Sequence, residues 1–289
     1  MTKILICGAK GQLGSSIREL ENKYPDFSLD YTDVEELDIL DAVSLTIYMK
    51  QTRPDYIINC AAYTAVDAAE KDQEKAFLLN SQAVLNIQSA AKQVSAFFIH
   101  ISTDYVFNGR NYIPYKESDH PDPDSVYGIS KLKGEMNLSG LNNSIIIRTS
   151  WLYSLYGHNF LKTILRIGKE KEELKIVFDQ VGTPTFAGDL ADTILQIILQ
   201  STKDSSRFIP GIYHYSNEGV ASWYDFAREI IEIAELKTRI LPIETSEYPL
   251  PAPRPQYSVL NKKKIRDTFG IEIRHWKEAL KDCISRGNL

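Results

Sequence analysis

Tyr127 and Lys131 stand four residues apart, a spacing that places both side chains on one face of a helix. A cation beside a phenol invites acid–base chemistry. Free tyrosine titrates near pH 10, too high for that work at neutral pH. A charge about 4 Å away, at an effective dielectric near 20, is worth about 4 kcal/mol. At about 1.4 kcal/mol per unit that approaches 3 units, so Lys131 is expected to draw the phenol towards neutrality. The chain holds 16 tyrosines, so roughly one such pair should arise by accident. A second copy does occur, Tyr112 with Lys116, but it encloses Pro114 and cannot form one regular turn. The Tyr127 copy follows Pro123-Asp124-Ser125, which reads as a helix start, and it runs on without proline.

Two further groups give this pair something to act on. Ser102 and Thr103 end the apolar run Ile99-His-Ile, so their hydroxyls fall just beyond a strand. In an open parallel sheet, ligands bind at that end of the strands. Thr103 is then placed to hydrogen-bond a carbonyl oxygen to which Tyr127 gives a proton. Lys131 is placed to hold a nicotinamide ribose and to favour tyrosinate.

The second group is Gly8-Ala-Lys10-Gly11-Gln12-Leu13-Gly14, a G-x-x-G-x-x-G loop between a strand and a helix. Glycines there allow a tight turn, close approach of backbone to a pyrophosphate, and close helix–strand packing. The helix N-terminus adds donors and partial positive charge. An acidic residue about 20 positions further on usually holds the adenosine ribose. Asp30 and Asp33 flank the end of the second strand, and Asp38, with Ile39 beside it, lies nearby; these point to NADH. Lys10 points instead to the 2′-phosphate of NADPH, and both cofactors stay open.

The elements that must position these groups alternate in the first half. Strands are expected at Lys3 to Cys7, Ser28 to Thr32, Tyr56 to Cys60, Ala96 to Ile101 and Ser144 to Arg148. Helices are expected at Gln12 to Lys23, Asp41 to Gln51 and Asp67 to Val94, the last broken near Asp72. Short apolar strands alternating with helices imply an α/β fold, a Rossmann-type doubly wound parallel sheet covered on both faces. The second half is less regular. It reads as helix 159–168, strand 174–177, helix 188–200, strand 211–215, helix 222–236, a proline-rich loop 249–255 and a helix from His275. The expected division is a dinucleotide-binding domain at 1–152, joined by 183–205, and a smaller substrate-binding lobe at 153–182 and 206–289.

The 289 residues are 43% hydrophobic, enough for a sizeable core. A net charge of -5 without a long basic run argues against nucleic acid. Lys262 to Lys264 reads as a solvated helix start. Cys7, Cys60 and Cys283 are too scattered for a disulfide or zinc framework, and no metal is expected. The chain opens directly on a strand and has no apolar run of membrane-spanning length, so a cytoplasmic location is expected.

Taken together, these segments resemble the extended short-chain dehydrogenase/reductase family, and within it the dTDP-4-dehydrorhamnose reductases. The resemblance spans nearly the whole chain. It rests on the glycine loop, Asn59–Asp67, Ser102–Gly109, Tyr127–Lys131, Arg148–Tyr153, Asp179–Thr185 and Arg254–Leu260. It implies reduction of the C4 ketone of a dTDP-linked 4-dehydro-6-deoxy-L-mannose by NADPH or NADH. By position it makes Thr103, Tyr127 and Lys131 catalytic. Ala61, Ala62 and Thr64 would line the cofactor path. Asp104, Tyr105, Trp151, Asn159 and Arg254 would border the sugar nucleotide.

Related nucleotide-sugar dehydratases carry Asp-Glu after the threonine. Here the pair is Asp104-Tyr105, and a phenol does not replace the carboxylate base, which favours simple reduction. Some relatives form a magnesium-linked dimer through an acidic residue just after the glycine loop. This chain has Ser15-Ser16 there, with Glu19 only later, so magnesium is not expected to be required and a monomer or weak homodimer is expected. Two alternatives remain. One is a reductase of another nucleotide-linked 4-ketosugar. The other is a non-catalytic nucleotide-binding subunit similar to the methionine adenosyltransferase beta subunit.

Overall fold

The computed structural model describes residues 1–138, 140 and 142–287. The chain begins β1 (Thr2–Cys7), α1 (Gln12–Glu19), β2 (Phe27–Thr32), α2 (Ala42–Thr52) and β3 (Tyr56–Asn59). Next come α3 (Val66–Ala69), α4 (Gln73–Phe77) and α5 (Ala83–Val94), then β4 (Phe97–Thr103), α6 (Val126–Met136) and β5 (Ser144–Thr149). The second half holds β6 (Leu152–Tyr153), α7 (Phe160–Glu170), β7 (Glu173–Val177), β8 (Val181–Gly182), β9 (Thr185–Phe186) and α8 (Ala187–Lys203). It ends with β10 (Gly211–Tyr215), β11 (Ala221–Ser222), α9 (Trp223–Ile233), β12 (Arg239–Ile243), α10 (Lys263–Phe269) and α11 (Trp276–Gly287).

Six strands form one parallel sheet in the order β10-β5-β4-β3-β1-β2. Strands buried on both faces are mostly apolar, and β3 and β5 expose none of their residues, the apolar Ile57, Ile58 and Ile145 to Ile147 leading into buried polar residues at the carboxyl ends. One face is covered by α1, α8 and α10, with Ile17, Leu190, Ile194 and Phe269 in the core. The opposite face packs against α2 and α5 through Leu45, Met49, Val84 and Ile87. Strand order reverses about β1, whose neighbours are β3 and β2, so a crevice opens at the carboxyl ends of β1 and β3. The glycine loop lies there.

The second lobe is built from two-stranded pairs, β7 with β12 and β8 with β11, and from α7, α9 and α11. Leu161, Ile164, Phe226, Ile230 and Leu280 close its own apolar core. Several helix starts are capped by their own side chains. Asp41 accepts from Val43 and Ser44 amides, Asn159 from Lys162, and Ser222 forms a capping box with Asp225.

The structure departs from the sequence reading at several points. Gly211–Tyr215, placed above in the second lobe, pairs with β5 as an edge strand of the central sheet. Ile265 and Phe269 of α10 join the core beneath that sheet, and residues 288 and 289 lie outside the described range. Helix α1 stops at Glu19 and a separate 3-10 turn spans Glu21–Lys23. The break near Asp72 is present, followed by a π-helical turn at Leu78–Gln82. Lys262 is not solvated: it is buried, donates to the Asn217 carbonyl and pairs with Glu218 at 3.2 Å.

Candidate active site

The glycine loop has the shape of a phosphate cradle. Gly8 has φ +77°, and a Cβ there would fall 2.6 Å from the Ala61 nitrogen. A Cβ at Gly14 would fall 2.6 Å from Ala9 Cα and 2.7 Å from the Gly8 carbonyl, so α1 sits close against the loop. Gly11 caps α1 with extended backbone and no side-chain hydrogen bond, which leaves the first amides of the helix available to an anion. These features fit a dinucleotide.

Around the loop, Asp33 accepts from the Lys10 amide at 3.0 Å. The Lys10 ammonium pairs with Glu35 and, at 3.4 Å, with Glu36. Asp38 is exposed and accepts from the Leu40 amide, while Ile39 beside it is buried. Ala61 donates its amide to Asn59, and Ala62 and Thr64 follow in the loop after β3. Leu13 is not at the surface of the loop: it is buried in the core beneath the sheet.

Thr103 is the last residue of β4, and Tyr127 and Lys131 lie on α6. Ser125 caps α6 by accepting from the Gly128 amide at 3.1 Å, and Glu70 accepts from Val126 at 2.9 Å. Gly128 is required: a Cβ there would lie 2.2 Å from the Tyr105 carbonyl oxygen. This close approach brings Tyr127 beside Thr103, whose hydroxyl acts to lower the phenol's pKa. Thr103 also accepts from the Tyr105 amide at 3.2 Å and donates to Asp104 at 3.1 Å. The Tyr105 ring meets Tyr127 edge-on, with centroids 5.4 Å apart.

The electrostatics correct one expectation. Burial pushes the Tyr127 phenol up to about 12, opposed by Thr103 and reinforced by Asp104. Lys131 does not draw it down. Its side chain runs inward and Nζ donates to the Ile101 carbonyl at 2.6 Å. Burial lowers Lys131 to about 8, against the attraction of Glu135 and Cys60. The helical spacing puts both residues on one face, but the lysine charge is spent on the end of β4. Tyr127 is therefore a protonated phenol at neutral pH, the form that gives a proton. Asp104 is raised to about 6 by burial, against hydrogen bonds from Ser258 and Thr103.

The remaining predicted residues are partly committed within the fold. Arg254 grips Asp67 with two hydrogen bonds, 2.9 and 2.6 Å, which ties loop 249–255 to the start of α3 beside Tyr105. Asn159 caps α7 and donates to Gln12 at 2.9 Å, which joins the second lobe to the glycine loop. Trp151 stacks on Trp223 at 3.6 Å and has φ +46°, a costly conformation for a bulky residue. Trp223 was not singled out in the sequence, since an aromatic at a helix start reads as core. Among the described residues no cluster of His, Cys, Asp or Glu has the makings of a metal site, and no helix is long and apolar enough to cross a membrane.

Residues 1–288 match the family model described as the RmlD substrate binding domain. The chain belongs to the RmlD family. The match covers the central sheet and the second lobe alike, so every site residue above falls inside it. The chain is 41% identical to the spore coat polysaccharide biosynthesis protein SpsK of Bacillus subtilis, over 98% of this chain and 97% of that protein. Among solved structures it is similar to a dTDP-4-dehydrorhamnose reductase of Clostridium acetobutylicum, with 40% identity, TM-score 0.93 and full coverage of both chains. The dTDP-4-dehydrorhamnose reductase of Bacillus anthracis, solved in complex with NADP, is 38% identical with TM-score 0.93, covering 99% of this chain and 100% of that one.

Proposed function

We propose that this chain is an NAD(P)H-dependent oxidoreductase that reduces the C4 ketone of dTDP-4-dehydro-L-rhamnose to give dTDP-L-rhamnose. The observation that carries this reading is the meeting of Thr103 and Tyr127 at the carboxyl end of β4, with Lys131 buried behind them and the glycine cradle alongside. The named relatives support the substrate, and the NADP complex of the Bacillus anthracis protein supports the cofactor.

When bound, the reduced nicotinamide supplies a hydride to the ketone carbon. The residues of this chain do the rest. Thr103 hydrogen-bonds the ketone oxygen and keeps it facing Tyr127. Tyr127 gives that oxygen the phenolic proton as negative charge develops on it. Lys131 holds the nicotinamide ribose. Gly8, Gly11, Gly14 and the start of α1 receive the pyrophosphate. Tyr105, Trp151, Asn159 and Arg254 border the sugar nucleotide. Asp33 and Asp38 would hold the adenosine ribose, and Lys10 would have to leave Glu35 and Glu36 to reach a 2′-phosphate.

The test is incubation with NADPH or NADH and a panel of dTDP-, UDP- and GDP-linked 4-ketosugars, with products identified by NMR. The reading expects the dTDP sugar to be converted fastest, to dTDP-L-rhamnose. Faster turnover of another base, or none with any ketosugar, overturns it.

A further inference from the structure

Behind the catalytic edge lies a buried ion pair that the chemistry above does not use. Glu135 sits on α6, one turn after Lys131, and Arg148 on β5. Their side chains are 3% and 2% exposed. Arg148 Nε donates to the two carboxylate oxygens at 2.9 and 3.2 Å, and Nη2 donates to one of them at 2.6 Å. Ser102 Oγ, from β4, donates to the same carboxylate at 2.5 Å. The guanidinium also lies 5.1 Å from the centre of the Phe107 ring. One carboxylate thus joins the helix of Tyr127 and Lys131, the strand of Thr103, and the next strand of the sheet.

A pair this deep is poorly explained as a source of stability. Desolvation offsets most of the attraction, and apolar replacements of similar volume are often neutral. Fixed geometry and a fixed charge are what it supplies. Ser102 precedes Thr103, so the carboxylate holds α6 one residue away from the hydroxyl that Tyr127 must meet. Lys131 shares the same helix.

We propose that Glu135, clamped by Arg148 and Ser102, is a positioning residue: it sets α6 on β4 so that Tyr127 meets Thr103. It acts through the helix it fixes and touches neither cofactor nor sugar. The proposal rests on the reading above that Tyr127 and Thr103 act on one ketone oxygen.

The test uses three variants: the charge-free pair Glu135→Met with Arg148→Met, the shortened carboxylate Glu135→Asp, and Ser102→Ala. Each is checked for folding by thermal unfolding. NADPH affinity, kcat and KM for the dTDP ketosugar are then measured, together with amide hydrogen exchange in α6. In the charge-free pair kcat is expected to fall about tenfold or more, with KM and NADPH affinity little changed. Glu135→Asp is expected to lose kcat in the same way. Ser102→Ala is expected to lose kcat several-fold and to speed exchange in α6, and it decides the positioning role even if the double variant does not fold. A folded charge-free pair with full kcat, or Ser102→Ala with full kcat and wild-type exchange, overturns the proposal. Hydrogen exchange needs no sugar. Wild-type protein without ketosugar turnover therefore sinks the reductase reading, and exchange in α6 of Ser102→Ala still decides this one.

Discussion

Asp104 accepts a hydrogen bond from the Thr103 hydroxyl and carries a charge that burial resists. Its folded carboxyl titrates at about 6, against 3.8 for the ordinary group. Folding therefore takes up a proton between those values, and that stabilisation is lost as pH rises through about 6. Above it, ionised Asp104 costs on the order of 1–3 kcal/mol. Asp104→Asn is expected to raise Tm at about pH 8 and to lose that gain near pH 4. Calorimetry across pH checks both. Lys131, at about 8, gives the second pH effect. Activity should fall on an alkaline limb set by the lysine rather than by the phenol, and Lys131→Met should remove the limb along with about 100-fold or more of kcat. Thr103, Tyr127 and Lys131 could be singled out from sequence because each has a chemical reason for its type and spacing. Their charges could not be read that way. Spacing says that two side chains share a face, but not that Lys131 turns inward to Ile101 while burial raises Tyr127. Nor does it show that Arg254 finds Asp67 across 187 positions.

The positioning elements were easier to read than their ends. The apolar runs of β1, β3, β4 and β5 had only one comfortable place, inside a sheet covered on both faces. The edge strand β10 follows the same pattern, so periodicity did not say which sheet it joins. The π-turn at Leu78–Gln82 has no sequence signature, and α1 ends early at Glu19, where Leu20 leads the chain into a 3-10 turn. At this scale α6 matters most, because Gly128 permits its contact with the Tyr105 carbonyl. Gly128→Ala is expected to destabilise by about 1–3 kcal/mol and to lower kcat beyond what stability explains, by lifting Tyr127 from Thr103. Urea unfolding and steady-state kinetics on the same preparation separate the two effects. Unchanged kcat would leave the close approach without a catalytic role.

Across the whole molecule, two polar ties connect the proposed cofactor and sugar regions. Gln12 of the glycine loop accepts from Asn159 and Ser154, and Asp67 holds Arg254 beside the pocket that Tyr105 also lines. Arg254 holds the Asp67 carboxyl below its usual range. The tie is complete above that range and is lost as pH falls through the lowered value. Asp67→Asn is expected to speed amide hydrogen exchange in 249–255 while the central sheet keeps its protection. Equal protection in both proteins would remove the tie as the element that fastens this loop. The central claim is narrower: Tyr127 gives the proton that accompanies hydride transfer to a dTDP-linked ketone. Its most direct measurement is single-turnover NADPH oxidation with dTDP-4-dehydrorhamnose in Tyr127→Phe, with NADPH affinity measured in parallel. The account predicts near wild-type affinity and a rate lower by about 100-fold or more. A wild-type rate in Tyr127→Phe would contradict it.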